Sequence, residues 1–436
     1  MSISRRQFLT LFGVGTASIL GVQGRSLHAA FAQTASSRFG ALRPDPNGLL
    51  DLPPGFQYRV LSQLGDRMDD GYSVPGAPDG MAAFRAPDGN TVLIRNHELL
   101  PSSPSRVGAS LADYYDPRCK GGTTTLIVSG DRRLMRQYAS LAGTNRNCAG
   151  GVTPWNSWIS CEEITSTSST NRHGGADNVS KPHGYNFEVP VTATEPVAPE
   201  PLIAMGRFRH EAIAIDPQTG TVYQTEDQPD GLFYRFIPHE PGRLQMGGIL
   251  EALRIANQPH AITMSRFPIN QKMSVDWVRI DDVDPPDDTV RSDGFRKGAA
   301  QFSRGEGICY SDGQFYFTCT TGGNVPHGQI WRYVPGQSSD DGGTIELIIE
   351  PNNPALLDFP DNLIMAPWGD LLVCEDGMGE QYVVGVTPGG TLYRFARNAL
   401  NSAEFAGICF SPDGRTMFLN IYSPGITLAV WSDSMA

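Results

Sequence analysis

Acidic side chains and one cysteine recur in this sequence where short apolar segments end, and their types could bind metal ions. The set comprises Glu98, Cys161, Glu162, Glu163, Glu211, Glu226, Asp227, Glu306, Asp361, Glu375 and Asp376. Crowded carboxylates either hold protons or need cations, because like charges repel. Carboxylate and amide oxygens suit calcium, whereas a single thiolate indicates a second metal that tolerates sulfur, such as iron or zinc. Each acid alone is more typical of a solvated turn, but their recurrence at matched positions favours metal binding.

These residues open or close a repeating unit in which a polar anchor, an apolar segment, a turn, a second apolar segment and a polar cluster follow one another. Six such units cover residues 79–98, 148–163, 210–227, 306–322, 361–377 and 404–420. Turns such as PDG, QTG and SDG between alternating apolar segments are typical of β-hairpins. With roughly four strands per unit, the sequence predicts an all-β, irregular six-bladed β-propeller with loop insertions at residues 162–200 and 240–300. A pair of β-sandwiches is the alternative.

The hairpin geometry predicts where the acids lie. The start of the first strand and the end of the second are adjacent in a tight antiparallel hairpin. The anchors, among them Asp79, Glu211 and Asp361, open the first strands, and the polar clusters close the second strands. We therefore expect both sets to surround one mouth of the central channel of the propeller.

Composition excludes several classes of function. The 436 residues carry a formal charge of −12, which argues against a general nucleic-acid binder. The sequence contains no GxGxxG, P-loop, HExxH or GxSxG motif, and its 8 histidines show no zinc-type spacing. Seven cysteines cannot all pair with one another, and Cys119 has no role that the sequence suggests.

The N-terminus is typical of an export signal. Residues 1–32 contain no acidic residue, and Ser4-Arg5-Arg6-Gln7-Phe8-Leu9 precedes an apolar run and a small-residue site at Ala30-Phe31-Ala32. This pattern resembles a twin-arginine signal; a membrane anchor is the alternative, although the run is shorter than the ~20 residues that a spanning helix needs. We predict cleavage near Ala32, a single mature domain at residues 33–436, the twin-arginine export machinery as a partner, and a monomer located in the periplasm or secreted.

Several motifs together resemble a known family. Asn147-Cys148-Ala149-Gly150-Gly151, Thr153-Pro154-Trp155 and Cys161-Glu162-Glu163 are similar to a signature of PhoX-type alkaline phosphatases. Further similar segments are Arg209-His210-Glu211, Arg304-Gly305-Glu306-Gly307, Asp361-Asn362, Cys374-Glu375-Asp376-Gly377 and Phe405-Ala406-Gly407. The resemblance spans roughly residues 45–431. It implies a six-bladed propeller that holds ferric iron (Fe3+) and calcium (Ca2+) and hydrolyses small phosphomonoesters.

The resemblance also implies roles for individual residues. Cys161 would be the thiolate that ligates iron, and Glu211 and Glu306 would be iron or bridging ligands. The remaining expected ligands of the metal cluster are Glu98, Glu162, Glu375 and Asp376. Arg304 would bind the phosphate of the substrate, and Arg304 and Glu306 would form the catalytic pair.

The residues support the Arg304 assignment independently, because a guanidinium fork matches phosphate geometry. Alternation along an extended chain places Arg304 and Glu306 on one side and Gly305 on the other. A surface salt bridge is the alternative role for Arg304. For the whole protein, the alternatives are a calcium-dependent propeller lactonase or esterase and a non-catalytic calcium-binding propeller, neither of which needs an essential thiolate.

Overall fold

Antiparallel strands form nearly all of the regular structure. The computed structural model describes residues 38–168, 179–337 and 341–433, so the predicted signal at residues 1–32 lies outside the described residues. The strands form five sheets with four, three, ten, five and four members. The first four-stranded sheet comprises β3 (Pro78–Arg85), β4 (Thr91–His97), β5 (Gly121–Val128) and β6 (Leu134–Thr144). The three-stranded sheet comprises β7 (Asn147–Val152), β8 (Ser157–Glu162) and β9 (Asn186–Pro190).

The ten-stranded sheet follows in the chain. It comprises β10 (His210–Ile215), β11 (Val222–Glu226), β12 (Gly231–Pro238), β13 (Gly248–Ile255), β14 (Met273–Arg279), β15 (Gln301–Phe302), β16 (Gly305–Ser311), β17 (Gln314–Cys319), β18 (Gln329–Val334) and β19 (Thr344–Ile349). Its two halves are joined where β14 pairs with β19 at Met273 and Ser274.

The last two sheets each recruit a strand from the beginning of the chain. The five-stranded sheet comprises β20 (Pro360–Met365), β21 (Leu371–Glu375), β22 (Tyr382–Val386), β23 (Leu392–Asn398) and β1 (Leu50–Asp51). The last four-stranded sheet comprises β24 (Phe405–Phe410), β25 (Met417–Ile421), β26 (Ile426–Ser432) and β2 (Phe56–Gln63). Pairing of β2 with β26 joins the two ends of the described chain. The last sheet therefore contains strands from both ends of the described chain, which is how propellers close.

Helices are few in the described part of the chain. They are α1 (Val290–Arg296) and three short 3-10 helices, η1 (Leu111–Asp113), η2 (Ile203–Met205) and η3 (Leu244–Met246). Among the described residues we find no helix with the length and apolar character needed to cross a membrane. The architecture is therefore all-β and propeller-like.

The first strand of every hairpin unit faces the centre of the molecule. Strands β3, β7, β10, β16, β20 and β24 contact one another in that order, and β24 contacts β3. Glycines permit the close approach between neighbours. A Cβ on Gly307 would lie 2.8 Å from the Asn362 Cα, and one on Gly80 would lie 2.4 Å from the Ala149 Cα. Adjacent inner strands thus meet backbone to backbone, which brings their side chains to a common centre.

The structure differs from the sequence predictions in two respects. The halves of the ten-stranded sheet are continuous through β14 and β19, whereas separate blades were expected. The regions predicted as insertions also contain sheet strands: β9 lies within residues 162–200, and β13 and β14 lie within residues 240–300. These strands are hard to recognise from sequence because Pro-, Ser- and Asp-rich loops separate them from the preceding hairpins.

Candidate metal and phosphate site

A β-bulge opens five of the six inner strands at a residue that could bind a metal. In each case the inner strand advances three residues while its partner advances two, so the register shifts by one residue near the start of the strand. The residues inside these bulges include Asp79, Cys148, Glu211, Glu306 and Asp361. A bulge re-aims a side chain that regular pleating would direct elsewhere. The five matched bulges therefore turn four carboxylates and one thiol toward the centre.

A second set of acids follows the second strand of several hairpins. Glu98, Glu163, Asp227 and Asp376 are each the first residue after β4, β8, β11 and β21, respectively. The last residue of each of these strands pairs with the first residue of the inner strand, as Glu162 does with Asn147. Because successive side chains of a strand point to opposite sides, the residue after the strand is the one directed inward.

These two sets form one continuous group, which we call the central cluster. It comprises Asp79, Glu98, Cys148, Glu163, Glu211, Glu306, Asp361, Asp376 and Glu404. Its members form overlapping triplets in which the potential ligand atoms lie within 4.8 Å of one another. Seven of the nine side chains are buried, and Asp376 and Glu404 are partly exposed. The predicted ring of acids thus exists, with part of the predicted membership.

Electrostatics in the central cluster disfavour a full set of free anions. Burial raises the pKa of Glu211 well above its ordinary value, and the carboxylates of Glu306 and Glu163 raise it further. Burial likewise raises the pKa of the Cys148 thiol, with added repulsion from Asp79 and Glu211. The Cys148 Sγ lies 3.2 Å from the Glu211 Oε1 and 3.6 Å from the Asp79 Oδ2. Such a cluster must take up either protons or cations.

The donor set fits metal ions. Oxygen ligands from several strands suit calcium, and the buried Cys148 thiol beside them suits a transition metal such as iron. The buried Glu211 Oε2 has no hydrogen-bond partner among the described residues. A buried carboxylate oxygen without a partner costs free energy, and a bound cation would remove that cost. Glu211 belongs both to a triplet with Cys148 and Glu163 and to one with Glu306 and Asp361, so it links the thiol to the other carboxylates.

Arg304 and Arg146 both contact acids of the central cluster. Arg304 makes a two-point contact with Asp227, with Nε–Oδ1 and Nη2–Oδ2 distances of 2.7 and 3.1 Å, and its Nη2 also contacts Glu306. Arg304 and Glu306 therefore lie together as predicted, but the left-handed backbone at Arg304 and the bulge at Glu306, rather than alternation along an extended chain, place them there. Its side chain remains 16% exposed, so a ligand in the mouth can reach it. Its φ of 54° is a left-handed conformation, which is uncommon for a residue other than glycine and is typical of functional sites.

The second arginine is Arg146. Its Nε lies 2.8 Å from the Glu98 Oε1, and its Nη2 lies 3.1 Å from the Glu163 Oε2. Its φ of 55° is left-handed, like that of Arg304. No motif in the sequence indicated a role for this residue. Arg146 ties together two acids from neighbouring inner-strand units.

The structure differs from the prediction for Cys161. This thiol is fully buried in an apolar cluster with Ile159, Met205 and Phe208, and it belongs to none of the candidate metal-binding triplets of the described residues. Cys161 pairs with Asn186 inside the sheet formed by β8 and β9. Cys148 occupies the place that the prediction gave to Cys161, because Cys148 lies at the bulge that is equivalent to those of Glu211 and Glu306.

Three other predicted residues point away from the central cluster. Glu162 accepts hydrogen bonds from His183 and from the backbone amides of Asn145 and Gly184. Glu375 accepts a bond from the Asp358 amide, and burial raises its pKa to about 8. Glu226 accepts bonds from the Tyr234 hydroxyl and the Leu232 amide. All three are final residues of second strands, so the pleat directs them to the opposite side.

Sequence reasoning missed Asp79, Cys148 and Glu404 as members of the site, although each opens one of the six predicted repeats. The signal that could have identified Cys148 is its position. It opens the second repeat where acids open the others. The remaining predicted members, Glu98, Glu163, Glu211, Glu306, Asp361 and Asp376, are in the central cluster, and Asp227 reaches it through Arg304.

Comparisons with known proteins agree with this architecture. The sequence model of the family described as "Alkaline phosphatase PhoX" matches residues 37–425. No match was found among curated proteins. The solved structure of Pseudomonas fluorescens PhoX in complex with vanadate, a transition state analogue, aligns with a TM-score of 0.69 and 19% identity over 89% of this chain and 97% of that chain. At this identity the likeness concerns the fold.

A gluconolactonase from Xanthomonas campestris aligns less well, with a TM-score of 0.41 and 13% identity over 89% of this chain and 97% of that chain. This level of similarity does not bear on function. The family model covers most of the sequence, including all of the bulges that form the central cluster. The chain therefore belongs to the PhoX family of alkaline phosphatases.

Proposed function

We propose that the central cluster binds iron and calcium and that Arg304 binds the phosphate of a small phosphomonoester at its rim. The single observation that carries this proposal is the convergence of eight carboxylates and the Cys148 thiol beside an accessible arginine. Metal ions bound there would neutralise phosphate oxygens and supply a nucleophile at working pH. This chemistry needs no serine or cysteine nucleophile, in keeping with the absence of a GxSxG motif.

The residues of the chain have distinct roles in this proposal. Cys148, Glu211 and Glu306 hold the transition metal, and the outer acids, such as Glu98 and Asp376, hold calcium. Arg304 binds and orients the phosphate. Asp227 is a positioning residue, because its two-point contact fixes the plane of the Arg304 guanidinium. The vanadate bound in the Pseudomonas protein is consistent with a site shaped for a transferring phosphoryl group.

We also propose that the fold has six blades. Six inner strands contact one another in a closed order, and each begins a hairpin. In this proposal the pairing of β14 with β19 links two blades, which makes their strands one continuous sheet.

For the chain as a whole, we propose residues 33–436 as one exported domain that acts as a monomer in the periplasm or outside the cell. The twin-arginine pattern at residues 4–9 supports this. That route exports folded proteins, so metals could be loaded beforehand.

A matched pair of cysteine variants tests the function. Cys148→Ser and Cys161→Ser each replace one buried thiol, but only Cys148 lies in the central cluster. We expect Cys148→Ser to lose bound iron and most hydrolysis of p-nitrophenyl phosphate, and Cys161→Ser to keep both. If both variants kept parental activity, the proposed role of the Cys148 thiol would be contradicted. Hydrolysis of a lactone but not of p-nitrophenyl phosphate by the parental protein would favour the lactonase alternative.

A further inference from the structure

A second group of metal-binding side chains lies outside the central cluster. Asp116 and Cys119 are in the segment between β4 and β5, and His183 is in the segment before β9. Together with Glu162, at the end of β8, they form what we call the Cys119 cluster. All four side chains are fully buried. None of them belongs to the central cluster, and the proposed phosphatase chemistry uses none of them.

The distances within the Cys119 cluster match those around a tetrahedral metal ion. The Cys119 Sγ lies 3.4 Å from the His183 Nε2, and that Nε2 lies 3.6 Å from the Asp116 Oδ2. One potential ligand atom from each of the three residues falls within 4.8 Å of the others. Tetrahedral zinc with ordinary bond lengths would separate a sulfur and a nitrogen ligand by about 3.6 Å, and a nitrogen and an oxygen ligand by about 3.4 Å.

Glu162 fixes the orientation of the histidine. The His183 Nδ1 lies 2.7 Å from the Glu162 Oε1 and donates a hydrogen bond to it. The same carboxylate accepts bonds from the backbone amides of Asn145 and Gly184, both at 2.8 Å, so it cannot rotate away. With its proton on Nδ1, the imidazole directs the Nε2 lone pair toward Cys119 and Asp116. A carboxylate behind a ligating histidine is the usual support of zinc sites.

Asp116 is also held in place before any metal arrives. Its Oδ1 accepts a hydrogen bond from the Arg118 amide at 2.9 Å, and its Oδ2 accepts bonds from the amides of Ser180 and Lys181. Backbone donors thus set the carboxylate plane beside the His183 ring. The three candidate ligands are therefore preorganised, which lowers the entropic cost of binding a metal.

The alternative occupant of the site is a proton on His183, whose ring lies between Glu162 and Asp116.

We propose that Asp116, Cys119 and His183 form a second metal site, for zinc or a similar divalent transition metal, supported by Glu162. One thiolate, one imidazole and one carboxylate are the donors that zinc prefers. Because the site joins the β4–β5 segment to the segment before β9, its metal would stabilise the folded state.

Spectroscopy on the Cys148→Ser protein tests this proposal, since that variant lacks the other candidate metal-binding thiol. After substitution with cobalt, we expect a sulfur-to-cobalt charge-transfer band and the intense visible bands of four-coordinate cobalt. The same bands should be absent from Cys148→Ser/Cys119→Ser and from Cys148→Ser/His183→Asn. Absence of the bands from Cys148→Ser itself would overturn the proposal, and so would their persistence in the double variants.

Elemental analysis of the parental protein provides a measurement that does not depend on any variant folding. After dialysis against zinc and removal of the free ion, we expect one zinc per chain that resists extraction, and a thermal midpoint that rises with zinc concentration. Cys119→Ser should lose this zinc and the rise in the midpoint, while its iron and calcium contents stay at parental levels. A parental protein with less than about a tenth of an equivalent of bound zinc would overturn the proposal.

Discussion

Replacing Arg304 by lysine separates the binding of phosphate from the binding of metal. Arg304 spans two acids, since its Nε and Nη2 contact Asp227 while Nη2 also contacts Glu306. A lysine keeps the positive charge, but its single ammonium cannot reproduce the planar fork. We expect the Arg304→Lys variant to fold, to retain its metals, and to bind the transferring phosphoryl group less well.

The size of the effect follows from the geometry. The fork is preorganised by bonds of 2.7 and 3.1 Å to a buried carboxylate, so the parental enzyme spends little free energy in orienting it. Removing one preorganised transition-state donor costs about 2–4 kcal/mol in other enzymes. This corresponds to a loss of about 30- to 900-fold in kcat/KM.

Steady-state hydrolysis of p-nitrophenyl phosphate, inhibition by inorganic phosphate, and metal content should be measured together. Arg235→Lys is the matched control, because Arg235 in β12 pairs with Glu251 in β13 at 2.7 Å, and neither residue belongs to the central cluster. We expect the control to retain parental kinetics. Parental kcat/KM and parental phosphate inhibition in Arg304→Lys would show that Arg304 has only a structural role.

Three further predictions concern packing, pH and export. Gly307→Ala should destabilise the fold by about 1–3 kcal/mol in denaturant unfolding, because the added Cβ would overlap the backbone of β20. Gly130→Ala is the control and should not destabilise the fold, because no neighbouring atom lies within 4 Å of its added Cβ. Burial raises the pKa of Glu226 to about 8. The folded state therefore binds this proton more tightly than the unfolded state, and the free energy of unfolding should fall as pH rises from about 4.5 to about 8. Glu226→Gln should escape this loss; a parental–variant difference in unfolding free energy that is the same at pH 5 and pH 8.5 would contradict the assignment. When Arg5 and Arg6 are both replaced by lysine, cell fractionation should find the precursor in the cytoplasm. Active double variant in the periplasm would refute the twin-arginine interpretation.

The hairpins and their inner ends could be predicted from sequence because the signals are local. Turns such as that at Asp312–Gly313 have φ values of 48° and 76°, which the SDG sequence favours. The anchors that open the inner strands were recognised as a recurring pattern. Continuity between the halves of the ten-stranded sheet depends instead on pairing between β14 and β19, which lie far apart in sequence.

Assignment of individual ligands depended on a feature that the sequence does not display. Glu162 and Glu163 are adjacent, yet one supports His183 and the other joins the central cluster. The difference is one step of the pleat, and a one-residue change of register exchanges the two faces. Cys148 and Cys161 likewise differ in their relation to a bulge. Resemblance to a family motif that contains both cysteines could not distinguish them.

Anomalous diffraction at the iron edge, from crystals of the mature active protein, would test the central claim most directly. We predict a peak within bonding distance of the Cys148 Sγ and of carboxylate oxygens of Glu211 and Glu306, with calcium among the outer acids of the central cluster. An iron peak beside Cys161, or no metal peak in the central cluster of a fully active protein, would contradict the account.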